Sequence, residues 1–294
     1  MLNKMLKEII SLMRIKQWYK NLLIFLPLIF SGNLFNTKAL SYTLIGFFAI
    51  SLISSSNYII NDIRDRHKDR KHPEKKKRPI ASRKITVPAG VFLAIVLIGT
   101  AFYISTSMPY TFRLILLIFF ILTQLYTFFL KDEAFADITL ISTNFVIRAV
   151  AGAFVLTEGM SPYVEISPWL ILCPFFLAMF LAIGKREADL RFLKDKAISH
   201  KPVFKIYTLK ITNTLMIIST TLLIMSYALY SFLSLSSNFL ITIPIALYMI
   251  FRYFYLVESG NEVARHPELV YKDPKIFISG MLLTGMIIML LYIA

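Results

Sequence analysis

The sequence predicts an all-α, polytopic membrane protein of about nine transmembrane helices in one domain, residues 1–294. Three observations carry that reading. Apolar residues make up 57% of the 294, including 25 Phe, and mean hydropathy is +0.66, more apolar surface than a soluble chain of this size can bury. The apolar residues gather into stretches long enough to cross about 30 Å of hydrocarbon as helices. None of those stretches alternates as the wall of a closed β-barrel would.

In chain order the predicted spans are 21–37, 39–60, 86–107, 111–130, 137–157, 166–184, 206–233, 238–257 and 276–293. The first is interrupted by Pro27 and Gly32. The charged residues between spans give the orientation. Of the 32 Lys and Arg, 29 fall in the N-terminal arm and in the connections 61–85, 131–136, 185–210 and 252–275. The alternate connections hold only Lys38 and Arg113, and Arg148 lies inside a span. This asymmetry puts the N-terminus and the basic connections in the cytoplasm and Ala294 outside. Short, charge-poor connections such as STSMPYT and TEGMSPYVEISP leave no room for an outer domain. The net charge of +15 is accounted for by this bias, so nucleic acid is not an expected partner. The lone Cys173 excludes an internal disulfide, and residues 1–20 lack the pattern of a cleavable signal.

Four constellations carry chemistry. After the second span, Asn61, Asp62, Asp65 and Asp69 form an N-D-x-x-D-x-x-x-D pattern. On a helix the three carboxylates share one face, which suits a hard divalent cation such as Mg²⁺, and Asn61 adds a carbonyl oxygen. An ordinary solvated helix end also carries alternating charges. Arg64, Arg70, Lys75, Lys76, Lys77 and Arg78 follow, with Lys185 and Arg186 on another connection. Cations beside a metal suit a phosphorylated ligand, although the same charges serve topology and attract anionic lipid. The span after KDEAFAD carries Asp137, Asn144 and Arg148 at two- and three-turn spacing, with Lys131, Asp132 and Glu133 just before it. An arginine so deep in a span is costly and by default functional; a structural pair locking helices is the competing account. In RIKQWYKN, residues 14–21, Lys20 and Asn21 stand at the membrane entry beside Trp18 and Tyr19, which also fit as interface anchors. His72 fits a hydrogen-bonding surface residue better than a base.

These motifs resemble the UbiA superfamily of intramembrane prenyltransferases. The resemblance runs through RIKQWYKN, NDIRDRHKDRKHPEKKKRPIAS, LKDEAFADITLISTNFVIRAVAG and GKREADL, nearly the whole chain. The H-P-x-K-x-x-R-P-I-A and I-R-A-V-A-G stretches are similar to the branch that transfers phosphoribosyl groups to polyprenyl phosphates. Two departures stand out. The superfamily's second D-x-x-x-D is matched here by Glu133 and Asp137, and Asp189 replaces the Glu of G-K-R-x-x-E-L.

The resemblance implies a helical bundle with its active site at the cytoplasmic side of the cell membrane. Mg²⁺ on Asn61, Asp62, Asp65 and Asp69 would grip the diphosphate of phosphoribosyl diphosphate. Lys20, Arg78, Lys185 and Arg186 would hold phosphates, with Asn21, Arg64, Arg70, Lys76, Lys131, Asp137, Asn144 and Arg148 completing the substrate site. A polyprenyl phosphate of the decaprenyl-phosphate type would attack the ribose, its tail in a lateral groove, and no general base is required. The alternative is prenyl transfer from a prenyl diphosphate to an aromatic or glycerophosphate acceptor. Expected partners are both substrates and the bilayer, with a homo-oligomer left open.

Overall fold

The computed structural model describes residues 2–72, 74–156, 166–194, 197, 201–233 and 237–293. Among them every regular element is helical. Among the described residues, eight helices are long and apolar enough to cross a membrane. The predicted segment 21–37 corresponds to a 3-10 helix, Ile15–Phe25, that runs into a five-residue α-helix, Leu26–Phe30. Pro27 sits in the first turn of that short helix, and Gly32 takes φ 75 just after it. Ala294 and residues 157–165 of the TEGMSPYVEISP connection lie outside the described residues.

The elements are α1 (Leu2–Met13), the 3-10 helix, α2 (Leu26–Phe30), α3 (Thr37–Arg70), α4 (Val87–Ile104), α5 (Tyr110–Leu125, continued by a π turn to Leu130), α6 (Ala136–Leu156), α7 (Pro168–Leu193), α8 (Leu209–Leu233), α9 (Ile243–Glu258), α10 (Glu262–Arg265) and α11 (Pro274–Tyr292). Their starts follow local chemistry. The side chains of Asn36, Thr86, Ser167 and Asp273 each accept a backbone N–H of the helix they open. Proline follows the cap in the first turn of α4, α7 and α11.

The chain gathers into two compact units. One comprises Met1–Leu28, Asn33–Thr127 and Val150–Glu165; the other comprises Ile29–Gly32, Phe128–Ala149 and Ile166–Ala294. In the first, α3 packs along α4, the 3-10 helix, α5 and α1. Leu12, Ile59, Ile80, Ala94 and Leu97 form a core at its charged end. Gly152 allows the closest approach here: a Cβ would stand 2.0 Å from the Ile24 carbonyl oxygen. In the second unit, α7 packs along α8, and α9 along α11. Phe180, Ile183, Tyr207, Met216, Tyr253 and Leu256 belong to its core. A Cβ on Gly184 would lie 2.7 Å from the Tyr253 ring, so glycine sets the α7–α9 approach beside Lys185.

Candidate active site

Each unit carries its own cluster of ionisable groups. In the first, α3 runs 34 residues, so its apolar half and its acidic stripe form one continuous helix. The residues of RIKQWYKN lie along it. Trp18 Nε1 donates to Ser55 Oγ at 3.0 Å, Asn21 Nδ2 donates to Ser51 Oγ at 2.9 Å, and Ser54 Oγ donates to Asn21 Oδ1 at 3.3 Å. Asn21 is therefore buried among serines of α3. Lys20, half-buried, stands 5.8 Å from the Tyr19 ring. This seam delivers Arg14 to the acidic stripe. Arg14 has φ 51, a left-handed conformation uncommon outside glycine, and its guanidinium donates to Asp62 Oδ1 while lying 4.8 Å from the Tyr58 ring.

The 71–86 connection folds back over the same stripe. Ile80 and Ala81 are buried, Arg70 Nε donates to the Ala81 carbonyl at 3.0 Å, and Ser82 closes a turn onto the Arg78 carbonyl. Those anchors aim Arg78 inward. Its Nη1 donates to Asp62 Oδ1 at 3.0 Å and to Asp69 Oδ2 at 2.8 Å. Two carboxylates seven residues apart, each under 5% exposed, thus converge on a single cationic nitrogen. Asp65, Asn61 and Arg64 are half-buried on the same helix, and Lys76 is exposed. Burial, reinforced by the neighbouring Arg78 charge, pushes the Lys75 ammonium below its ordinary range. His72 Nδ1 accepts the backbone N–H groups of Glu74 and Lys75, the role of a turn cap.

These residues fit a divalent cation. No three acidic, histidine or cysteine side chains close on one point among the described residues. Mg²⁺ ordinarily takes only one or two carboxylates and fills its remaining positions with water and substrate phosphate. Asp62 and Asp69 supply that number, and a cationic group already bridges them.

The second unit centres on Asp137, which is fully buried. Arg186 donates Nε and Nη2 to Asp137 Oδ2 at 3.1 and 2.9 Å. Tyr207 O–H donates to Asp137 Oδ1 at 2.7 Å and accepts the Phe135 N–H at 2.8 Å. Lys201 Nζ stands 3.8 Å away. Burial first, then the Asp137 charge, raises the Tyr207 phenol well above its usual range and keeps it a donor. Asp137 therefore faces protein cations and a phenol on both oxygens. Further into the membrane, Arg148 Nη1 turns back to the Asn144 carbonyl at 2.8 Å, and both residues are buried. Lys131 and Lys185 are half-buried. Lys185 lies near Glu268, whose carboxyl burial would raise; a backbone hydrogen bond, Lys185 and His266 more than offset that and hold it low. Asp189 accepts from Arg265 at 3.3 Å.

Arg14, Lys201 and Tyr207 are absent from the sequence-based site. Arg14 opens the RIKQWYKN motif and could have been included on that ground; nothing local marks Lys201 or Tyr207.

Residues 23–280 match the UbiA prenyltransferase family. The chain belongs to that family. It is a multi-pass membrane transferase of UbiA type. It is 30% identical over 239 residues to a decaprenyl-phosphate phosphoribosyltransferase of Mycolicibacterium smegmatis, covering 80% of this chain and 73% of that one. It is 35% identical over 183 residues to the Sinorhizobium fredii protein y4nM, and there the match spans 62% of this chain but only 34% of the relative's length. The fold matches that of a UbiA homologue from Archaeoglobus fulgidus solved with GPP and Mg²⁺, with TM-score 0.70, 19% identity, and 96% and 99% of the two chains covered.

Proposed function

We propose that the protein transfers the 5-phosphoribosyl group of phosphoribosyl diphosphate to a polyprenyl phosphate at the cytoplasmic face of the cell membrane. The observation that carries this reading is the excess of positive charge around the paired carboxylates. Arg14, Lys75 and Arg78 crowd Asp62, Asp65 and Asp69, and Arg64, Arg70, Lys76 and Lys77 stand on the same helix end and connection, more cationic groups than three carboxylates require. A donor that carries a diphosphate and a separate 5-phosphate calls for such an excess. The Mycolicibacterium relative's name points the same way.

In this reading Asp62 and Asp69, with Asp65 and Asn61 beside them, hold Mg²⁺ when it is bound. The ion supplies charge neutralisation for the departing diphosphate. Arg78 and Arg14 turn from the carboxylates to the phosphate oxygens, Arg78 in a two-pronged contact. Lys20, Arg64, Arg70, Lys76, Lys131, Lys185 and Arg186 are the further phosphate and substrate ligands. Asp137 fixes the Arg186 guanidinium within the second unit, and Asn21 fixes the RIKQWYKN segment; Asn144 and Arg148, on α6, are further substrate contacts in this reading. An oxygen of the lipid phosphate forms the new bond to the ribose anomeric carbon. The bond to diphosphate breaks, and diphosphate leaves with the electron pair. The attacking oxygen is already anionic, so no base is needed.

The test is transfer of label into a lipid extract by purified protein, comparing phosphoribosyl diphosphate with geranylgeranyl and farnesyl diphosphates. Label from phosphoribosyl diphosphate is expected, and addition of a chelator should abolish it. Consumption of a prenyl diphosphate alone would replace this reading with prenyl transfer.

A further inference from the structure

One turn of α3 before Asn61, an amide pair in the first unit is incompletely satisfied. Asn57 is 3% exposed, and its Oδ1 accepts from Gln124 Nε2 of α5. Asn57 Nδ2 and Gln124 Oε1 are both buried and have no partner among the described residues. Amide orientation does not remove the deficit: flipping both side chains still leaves one donor and one acceptor unmet. Within a membrane span an unmet polar group is costly, since lipid offers no substitute for water. Directly after Gln124, α5 widens into the π turn Tyr126–Leu130, a distortion that recurs at functional sites, and buries Thr127 there.

We propose that Asn57 and Gln124 form the ribose-recognition subsite of the donor, binding its vicinal hydroxyls. This rests on the phosphoribosyl reading above. Asn57 and Asn61 share a helix face about 6 Å apart along the axis, so the subsite borders the carboxylates that would hold the diphosphate. The unmet groups select the ligand chemistry. A cis-diol presents a donor and an acceptor side by side, so one hydroxyl accepts from Asn57 and the other donates to Gln124. A phosphate cannot donate to Gln124 Oε1. A prenyl chain would leave both amides unmet. The pair thereby discriminates the sugar donor from prenyl diphosphates.

The experiment compares phosphoribosyl diphosphate with analogues lacking the 2- or 3-hydroxyl, in wild type and in Gln124→Met. Competition by inorganic diphosphate, which has no ribose, is measured alongside. Wild type should lose kcat/KM roughly tenfold to hundredfold for each deoxy analogue. Gln124→Met should shrink that discrimination to within about threefold while its inhibition by inorganic diphosphate stays unchanged. Equal use of the deoxy analogues by wild type overturns the subsite and leaves phosphoribosyl transfer standing, and needs no variant to fold. Discrimination that survives in Gln124→Met, or an equal loss of diphosphate inhibition, overturns it as well. Wild type that consumes only prenyl diphosphates overturns both readings.

Discussion

Replacing Asp137 tests whether the second cluster holds substrate or holds the protein. Asp137 is fully buried and Arg186 is 6% exposed, so the Asp137→Ala variant strands a guanidinium away from water. Breaking a buried ion pair from one side costs about 3–5 kcal/mol. The Tyr207 hydroxyl and the Ile138 N–H lose their acceptor as well, adding roughly 1 kcal/mol each where water does not replace it. Lys201, at 3.8 Å, shares the stranded charge and worsens the imbalance. For a chain of this length each kcal/mol moves the midpoint by roughly 1.5 °C, so a fall of about 5–10 °C is expected. Asp137→Asn keeps the acceptor oxygen and loses only the charge, and should fall about half as far. Thermal unfolding of the detergent-solubilised protein, without substrate, measures both. A midpoint within 1 °C of wild type for Asp137→Ala, with activity lost, would refute the structural role and make Asp137 a substrate ligand.

In the first cluster, Asp62→Asn and Asp69→Asn should each lower transfer at least a hundredfold and raise the Mg²⁺ concentration giving half-maximal rate, as a metal titration would show. Arg78→Ala removes a phosphate contact worth roughly 2–4 kcal/mol in the transition state, so transfer should slow about a hundredfold, whereas Lys77→Ala, exposed on the same connection, should stay within threefold. Asp273 provides a pH test: the hydrogen bond from Arg252 holds its carboxyl below the ordinary value of 3.8, and capping of α11 adds to that. A depressed carboxyl contributes stability that is complete above about pH 4 and lost as pH falls through the folded pKa. Asp273→Asn should flatten the thermal midpoint across that acidic window and leave its slope above pH 5 unchanged. A single cysteine at position 76, with Cys173 removed, should resist membrane-impermeant labelling in intact cells; labelling from outside would reverse the proposed orientation.

The spans were legible because hydrocarbon imposes a length and a composition that few other structures share. The exception is residues 21–37, where Pro27 and Gly32 sit inside an apolar run and the chain forms a 3-10 helix followed by a short α-helix. Periodicity also identified the acidic stripe, because Asp62 and Asp69 on an uninterrupted α3 must share a face. It could not say what would face them. Arg78 reaches the stripe through a fold-back anchored by Ile80 and Ala81, and Arg14 through the contacts of Trp18 with Ser55 and of Asn21 with Ser51, 37 and 30 residues apart in sequence. The same limit explains Asp137. Its spacing to Asn144 and Arg148 suggested one polar stripe on α6, yet its direct partners come from α7 and from Tyr207, which spacing along one helix cannot reveal. Asn57 shows how the two kinds of information combine. In the sequence it is one polar residue inside an apolar span, and the Gln124 amide of α5, which donates to its oxygen and leaves its nitrogen unmet, turns that polarity into a definite ligand chemistry.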